Sequence, residues 1–338
     1  MTTLTGRPLT GKVAIVAGAT RGAGRGIARM LGEAGATVYC TGRSTHGSPG
    51  PTGRPETIEE TAELVTMAGG LGIAVPVDHS YEQAVAALVT QVCGESQRID
   101  MLVNDIWGGD ELTDWQPFWT LETSRGFAML DRAVRTHIIT SRHVAPVLVA
   151  QKSGLIVEVT DGDHAGYRGS LFYDLAKNAT IRLAFAMAEE LRPHGATALA
   201  VTPGFLRSEE MLDRFGVSAS NWRDAIPRVQ GFEASETPCF VGRGVAALGA
   251  DPQVRRKTGG VYASWTLARE YGFADIDGEQ PDWGAFVERS LSSILARGGP
   301  TDAKERLWLD SWYGQLRDAP QWQPLMNRIR AARAGWAR

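Results

Sequence analysis

The chain has 338 residues, is 43% apolar and 22% charged, and carries a formal net charge of −3. That is enough for one large α/β domain with an extension, or two small domains, around a substantial core. Scattered arginines and a mildly acidic balance exclude the one-sided basic excess of nucleic-acid binders, and neither the three dispersed cysteines nor the six histidines adopt a metal-ligand spacing.

The odd, separated cysteines suggest a reducing compartment. The N-terminal "MTTLTGRPLTGK" has no apolar h-region, and no window approaches 18 apolar residues. A cytoplasmic protein without membrane contact is expected.

Strands are predicted at 13–17 (VAIVA), 37–41 (TVYCT), 73–77 (IAVPV), 101–104 (MLVN), 155–160 (LIVEVT) and 197–202 (TALAVT). Each is short, β-branched and not cleanly alternating, as expected of strands buried on both faces of a parallel sheet. Amphipathic stretches lie between them, such as "RGIARMLGEAG", closed by Gly35, and "TIEETAELVTMAGG". Repeated βαβ units of this kind predict a doubly wound parallel sheet, a Rossmann-type three-layer sandwich with ligands at the carboxyl ends of its strands. The Gly/Pro/Ser-rich segment 43–56 is expected to be a flexible loop.

The pattern changes near residue 278. Residues 1–277 are read as the main domain. Residues 278–338 are read as a helical extension packed on that domain, bearing Trp283, Trp308, Trp312 and Trp322 as anchors or as a roof over the cleft.

"VAIVAGATRGAGRGIA" sets Gly18, Gly22 and Gly24 between the first strand and the first helix. Glycines there allow a tight turn and close approach to a pyrophosphate at the helix N-terminus. The loop also carries Thr20, Arg21 and Ala23. Its Gly-x-x-x-Gly-x-Gly spacing, "VPVD" with Asp78, "LVND" with Asn104, Tyr173-x-x-x-Lys177 and "VTPGFLRS" (201–208) together resemble the short-chain dehydrogenase/reductase family over about residues 10 to 275. "SETPCFVGRGVAALGADP" and "LAREYGFADIDG" resemble one branch of it in particular.

The resemblance implies hydride exchange between a nicotinamide cofactor and a carbonyl or alcohol, in a homodimer or homotetramer. Asp78 would hold the adenine amine, and Pro203, Gly204 and Ser208 would border the nicotinamide. The resemblance places Asn104 among the cofactor-binding residues, but "NDIWGGD" follows, bringing Trp107, Asp105 and Asp110 toward the cleft mouth. After the second strand stand Arg43 and Ser44, with no carboxylate for the ribose hydroxyls. Arg21 and Arg43 would pair with a 2′-phosphate, so NADP(H) is expected over NAD(H).

Tyr173 and Lys177 are i and i+4 on one helix face. Five lysines among 338 residues make a chance Tyr-x-x-x-Lys rare, about 0.1 occurrences. The ammonium is expected to lower the Tyr173 pKa, making it the general acid/base. The family's polarising serine lies about 12 or 13 residues before the tyrosine, where Thr160 and Asp161 stand here.

Three readings stay open. Thr160 turns in as the donor; or Asp161 is protonated and donates; or an ionised Asp161 meets a substrate hydroxyl or cationic nitrogen, as in an imine or iminium reductase. The family's asparagine between the fourth and fifth strands is missing, its slot falling near Asp131 or Ala133.

Trp107, His164, Tyr167, Phe205 and Trp265 are candidate contacts for a flat or hydrophobic small-molecule substrate. The rival reading is a catalytically impaired NADP(H)-binding sensor or scaffold.

Overall fold

The computed structural model describes residues 6–50, 53–164 and 166–336. Residues 1–5 of the N-terminal stretch, Pro51 and Thr52 of the glycine-rich loop, and the last two residues of the extension lie outside the described residues. Seven strands form one parallel sheet: β1 (Val13–Ala17), β2 (Thr37–Gly42), β3 (Leu71–Pro76), β4 (Met101–Asn104), β5 (Leu155–Val159), β6 (Thr197–Thr202) and β7 (Val261–Ala263). Their order is β3-β2-β1-β4-β5-β6-β7. The chain reverses direction of winding between β1 and β4, and the crevice of such sheets opens at that point.

Five strands are buried residue for residue or nearly so, as the apolar runs require, but β3 is not. It is the sheet edge, with Leu71 54% exposed, so the expectation of burial on both faces fails there. β7 has no counterpart among the predicted strands. Three residues carry no periodicity, and only pairing with β6 makes them a strand.

Helices α1 (Gly22–Glu33), α2 (Ile58–Ala68), α3 (Glu82–Ser96), α4 (Thr123–Leu130), α5 (Thr136–Gln151), α6 (Leu171–Leu191), α7 (Glu209–Arg214), α8 (Pro238–Ala250) and α9 (Ser264–Tyr271) connect and cover the strands. One apolar core joins the sheet to α1 and α8, and the other joins it to α3 and α5. The helix α2 starts in a capping box, Thr57 accepting from Glu60 N and Glu60 from Thr57 N.

The α1–α8 crossing is close because glycines meet there. A Cβ on Gly26 would lie 2.1 Å from the Pro238 carbonyl oxygen, and one on Gly242 would lie 2.6 Å from the Gly26 oxygen. Backbone cannot yield as a side chain does. Gly26→Ala is therefore expected to cost about 1–3 kcal/mol by overpacking, read as a lower denaturant midpoint with unchanged slope.

Residues 131–135, between α4 and α5, form one π-helical turn (Asp131–Arg135). It falls where the family's asparagine would stand, so the irregularity is made by the backbone and not by an asparagine side chain. Ala133 is buried there and Asp131 is exposed.

The extension consists of α10 (Trp283–Ala296), α11 (Ala303–Leu316) and α12 (Gln323–Trp336). Val287, Leu291, Ile294, Leu309, Met326 and Ile329 give it a core of its own. Trp283 stacks on Phe286 and meets Phe205 of the main body edge-on. Among the described residues no helix is long and apolar enough to cross a membrane, and no metal-ligating cluster occurs.

Candidate active site

At the carboxyl ends of the strands lies a cavity of about 1150 Å³. Loops after β1 to β6 form its walls, and Trp283, Trp312 and Trp322 of the extension close one side. The tryptophans thus both fasten the extension and line the cavity.

At one end is the glycine loop. Gly18 (φ +90°) and Gly22 (φ +57°) adopt left-handed backbone that favours glycine. A Cβ on Gly18 would strike the Asp105 carbonyl oxygen at 2.4 Å. Gly22 N–H donates to a Glu209 carboxylate oxygen at 2.8 Å, so an amide of the loop already faces an anion, which is the chemistry a pyrophosphate needs. Thr20, Arg21, Ala23, Arg43, Ser44 and Asp78 line the same end. Arg43 lies 3.9 Å from Asp78, and Arg21 lies 3.6 Å from Glu56.

Two further groups here have no motif to announce them. Arg54, from the glycine-rich loop, makes a bidentate pair with Glu56 and reaches Asp213 at 2.8 Å. Glu209 opens α7 behind the Ser208 cap.

Gly24 is not on the cavity surface; its N–H donates to Asp105. Asp105 is half-buried on the cavity wall, and desolvation pushes its carboxyl up to about 7 against the opposing pull of Lys177. Asn104, like Gly24, is not on the wall. It is 0% exposed and donates to Ser141 Oγ at 2.9 Å and Glu158 Oε1 at 2.7 Å.

The expected cofactor role of Asn104 thus becomes a structural position behind the cleft. Glu158 completes that network with His137, 2.6 Å from its Nδ1, while His137 Nε2 lies 3.0 Å from the Ile106 carbonyl. A signal for this existed in "LIVEVT", because a carboxylate in a central strand must find a partner.

Pro203, Gly204 and Ser208 border the cavity after β6. Beneath Gly204, Glu236 accepts from Gly204 N at 2.8 Å and from Ser264 Oγ at 2.5 Å, and burial pushes its carboxyl up to about 8.

Tyr173 and Lys177 lie one turn apart on α6, and both face the cavity. Tyr173 Oη donates to Asp161 Oδ2 at 2.7 Å. The Trp107 and Trp115 rings each lie 5.6 Å from its ring. Lys177 Nζ sits 3.7 Å from the Trp107 centroid.

The expected lowering of the Tyr173 pKa is overturned. Burial first, then the Asp161 charge and hydrogen bond, hold the phenol well above its ordinary value. Lys177 is itself lowered by burial, and its charge does not offset these effects.

Thr160 Oγ1 donates to the Lys177 carbonyl at 2.9 Å and the residue is 3% exposed. A hydroxyl has one proton, so Thr160 is engaged by the helix backbone and does not turn in as the substrate donor. The loop beyond is wound on Arg168, whose guanidinium donates to the carbonyls of Asp161, His164 and Gly166. His164, Phe205 and Trp265 line the cavity, whereas Tyr167 is 52% exposed and does not.

The arrangement couples an anion-binding loop at one end of a cavity with a phenol, an ammonium and a carboxylate at the other. The family model for short chain dehydrogenase matches residues 12–215. Dehydrogenase/reductase SDR family member 1 of Mus musculus is 32% identical over 321 residues, covering 93% of this chain and 96% of the mouse protein; it represents the branch that the two quoted stretches resemble. A short chain dehydrogenase from Mycobacterium thermoresistibile superposes with a TM-score of 0.66 at 22% identity, covering 82% of this chain and 92% of its own. A structure titled as an NAD(P) dependent gluconate 5-dehydrogenase from Beutenbergia cavernae, with NADP bound at low occupancy, gives 0.60 at 24% identity, covering 76% and 96%.

Proposed function

Because this chain belongs to the short-chain dehydrogenase family, we propose that it is an NADP(H)-dependent oxidoreductase interconverting a carbonyl and an alcohol, with Tyr173 as general acid/base. The observation that carries this reading is the shared cavity: Tyr173 and Lys177 face the same space as the glycine loop. Gly18, Thr20, Gly22 and Ala23 would cradle the pyrophosphate, Arg21, Arg43 and Ser44 the 2′-phosphate, and Asp78 the adenine amine. Pro203, Gly204 and Ser208 would border the nicotinamide. When bound, such a cofactor supplies or accepts the hydride.

Tyr173 would hold the substrate oxygen and pass it a proton on reduction. Lys177, beside it on the cavity wall, favours the phenolate through its charge and so works against the burial that raises the phenol. Asp161 opposes it. That opposition is the one observation favouring the second reading, a nucleotide binder without turnover.

Ile138, Leu175 and Phe185 are exposed on α5 and α6 and support a homodimer or homotetramer through those helices. A cytoplasmic location remains part of the proposal.

Absorbance of NADPH across a panel of carbonyls tests the reading: turnover supports it, and binding with no oxidation of any substrate supports the second. Arg43→Ala is expected to weaken NADPH about ten-fold, the loss of one charge-assisted contact, and to leave NADH nearly unchanged. Equal losses for both cofactors would remove Arg43 from phosphate recognition.

A further inference from the structure

The wall around Tyr173 offers acceptors where an uncharged carbonyl would call for donors. The hydroxyl of Thr160 is turned to the Lys177 carbonyl, and that of Tyr173 to Asp161. Asp161 is exposed to the cavity, and a carboxylate there repels the oxyanion of a reduced carbonyl.

Its neighbour on the wall is also an acceptor. His164 Nδ1 lies 2.8 Å from Asp163 Oδ1. The carboxylate can only accept, so Nδ1 carries a proton, and in that tautomer Nε2 is an acceptor. That Nε2 is buried and has no hydrogen-bond partner among the described residues, and the side chain is 9% exposed. Arg168 fixes both groups through the carbonyls of Asp161 and His164. Two acceptors pinned by one guanidinium, with no free neutral hydroxyl beside them among the described residues, complement a ligand rich in N–H and positive charge.

We propose that the substrate carries a protonated amine beside its reacting carbon, with Asp161 pairing to the ammonium and His164 Nε2 accepting one of its hydrogens. The class is an α-amino ketone, or the β-amino alcohol in the reverse direction. This rests on the hydride-transfer reading above. The nitrogen recognises and does not react: bonds are made and broken only at the carbonyl carbon and oxygen. Its charge also compensates Asp161, so the oxygen handled by Tyr173 no longer faces an uncompensated anion.

Two measurements test the assignment. Quenching of tryptophan fluorescence, in the presence of NADP⁺, compares 2-amino-1-phenylethanol with 1-phenylethanol; steady-state kinetics compare 2-aminoacetophenone, the α-amino ketone, with acetophenone. The amine is expected to bind about ten-fold tighter or more, as a charge-assisted contact gives. Asp161→Asn, of the same shape, should abolish the preference, and Asp161→Ser should reverse it toward the neutral ketone.

Equal binding of amine and neutral alcohol by the unaltered protein, or a preference unchanged in Asp161→Asn, would overturn the proposal. Turnover of a cyclic iminium without preference for the amino ketone would also overturn it, by placing the charge on the reacting nitrogen. Preferential amine binding without turnover of any carbonyl would leave the cation site standing and overturn the hydride-transfer reading instead. His164→Ala should lower amine affinity and not that of the neutral alcohol, and equal losses for both would exclude His164 from the site.

Discussion

Tyr173→Phe is expected to lower kcat for carbonyl reduction by about 10²–10⁴, the usual worth of a positioned proton donor, while NADPH binding stays nearly unchanged. The phenol rather than the Thr160 hydroxyl is free to turn to a substrate oxygen, since Thr160 is held by the Lys177 carbonyl. A pH–rate profile separates this role from a structural one.

Reduction needs the protonated phenol. Because the Tyr173 pKa is held well above its ordinary value, the reductive rate should not fall through the neutral range for want of that proton. Alcohol oxidation needs the phenolate, so its rate should climb with pH across the alkaline range. Asp161→Asn removes the largest contribution after burial and should move the oxidative limb to lower pH. An oxidative limb at the same pH in this variant would mean that Asp161 does not act on Tyr173.

His137→Leu is the variant with the largest expected loss of stability, about 3 kcal/mol, because it leaves a fully buried carboxyl oxygen of Glu158 without its hydrogen-bond partner. Glu158 is 0% exposed in the middle of the sheet, 2.6 Å from His137. Asn104 still donates to Oε1 in the variant, but Oε2 loses its partner. Urea denaturation measures the loss, and the double variant with Glu158→Leu should recover part of it. A loss below about 1 kcal/mol would mean that the His137 contact adds little to the network around Glu158.

The pair has a second consequence. His137 lies two residues beyond the π-turn, in the first turn of α5, and reaches the Ile106 carbonyl, so it ties the loop carrying Trp107 to the helix beneath it. The loop over Lys177 and the central strands share this contact.

Much of the architecture was legible because the physics involved is local. A run such as "VAIVA" followed by Gly-x-x-x-Gly-x-Gly encodes strand, turn and helix within sixteen residues, and β1, the loop and α1 lie where those residues put them. Six of the seven strands were visible in the same way. The edge strand β3 misled because apolar composition signals strand formation without saying how many neighbours the strand will have. β7 was invisible because three residues become a strand only when β6 supplies the hydrogen bonds.

In the site, Tyr173 and Lys177 were legible from spacing alone, since one helical turn is a local constraint. Arg54, Glu209 and Glu236 were not, because each enters the cavity wall or its support from a segment with no pattern of its own. Asn104 was misplaced for a related reason. Its position at the end of β4 is a sequence property, but the direction of its side chain depends on Ser141 and Glu158 in other elements.

The sequence by itself therefore determined which groups exist near the carboxyl ends of the strands, because strand ends and glycine turns follow from neighbours along the chain. It also determined that a carboxylate stands where a neutral hydroxyl would serve a simple ketone. Only the tertiary structure decided how those groups are charged and aimed. Tyr173 is raised and not lowered because burial and Asp161 act on it more strongly than Lys177 does, and burial is the joint work of segments far apart in sequence. The three readings of Asp161 could not be weighed until Thr160 was seen bonded to the helix and Asp161 to Tyr173.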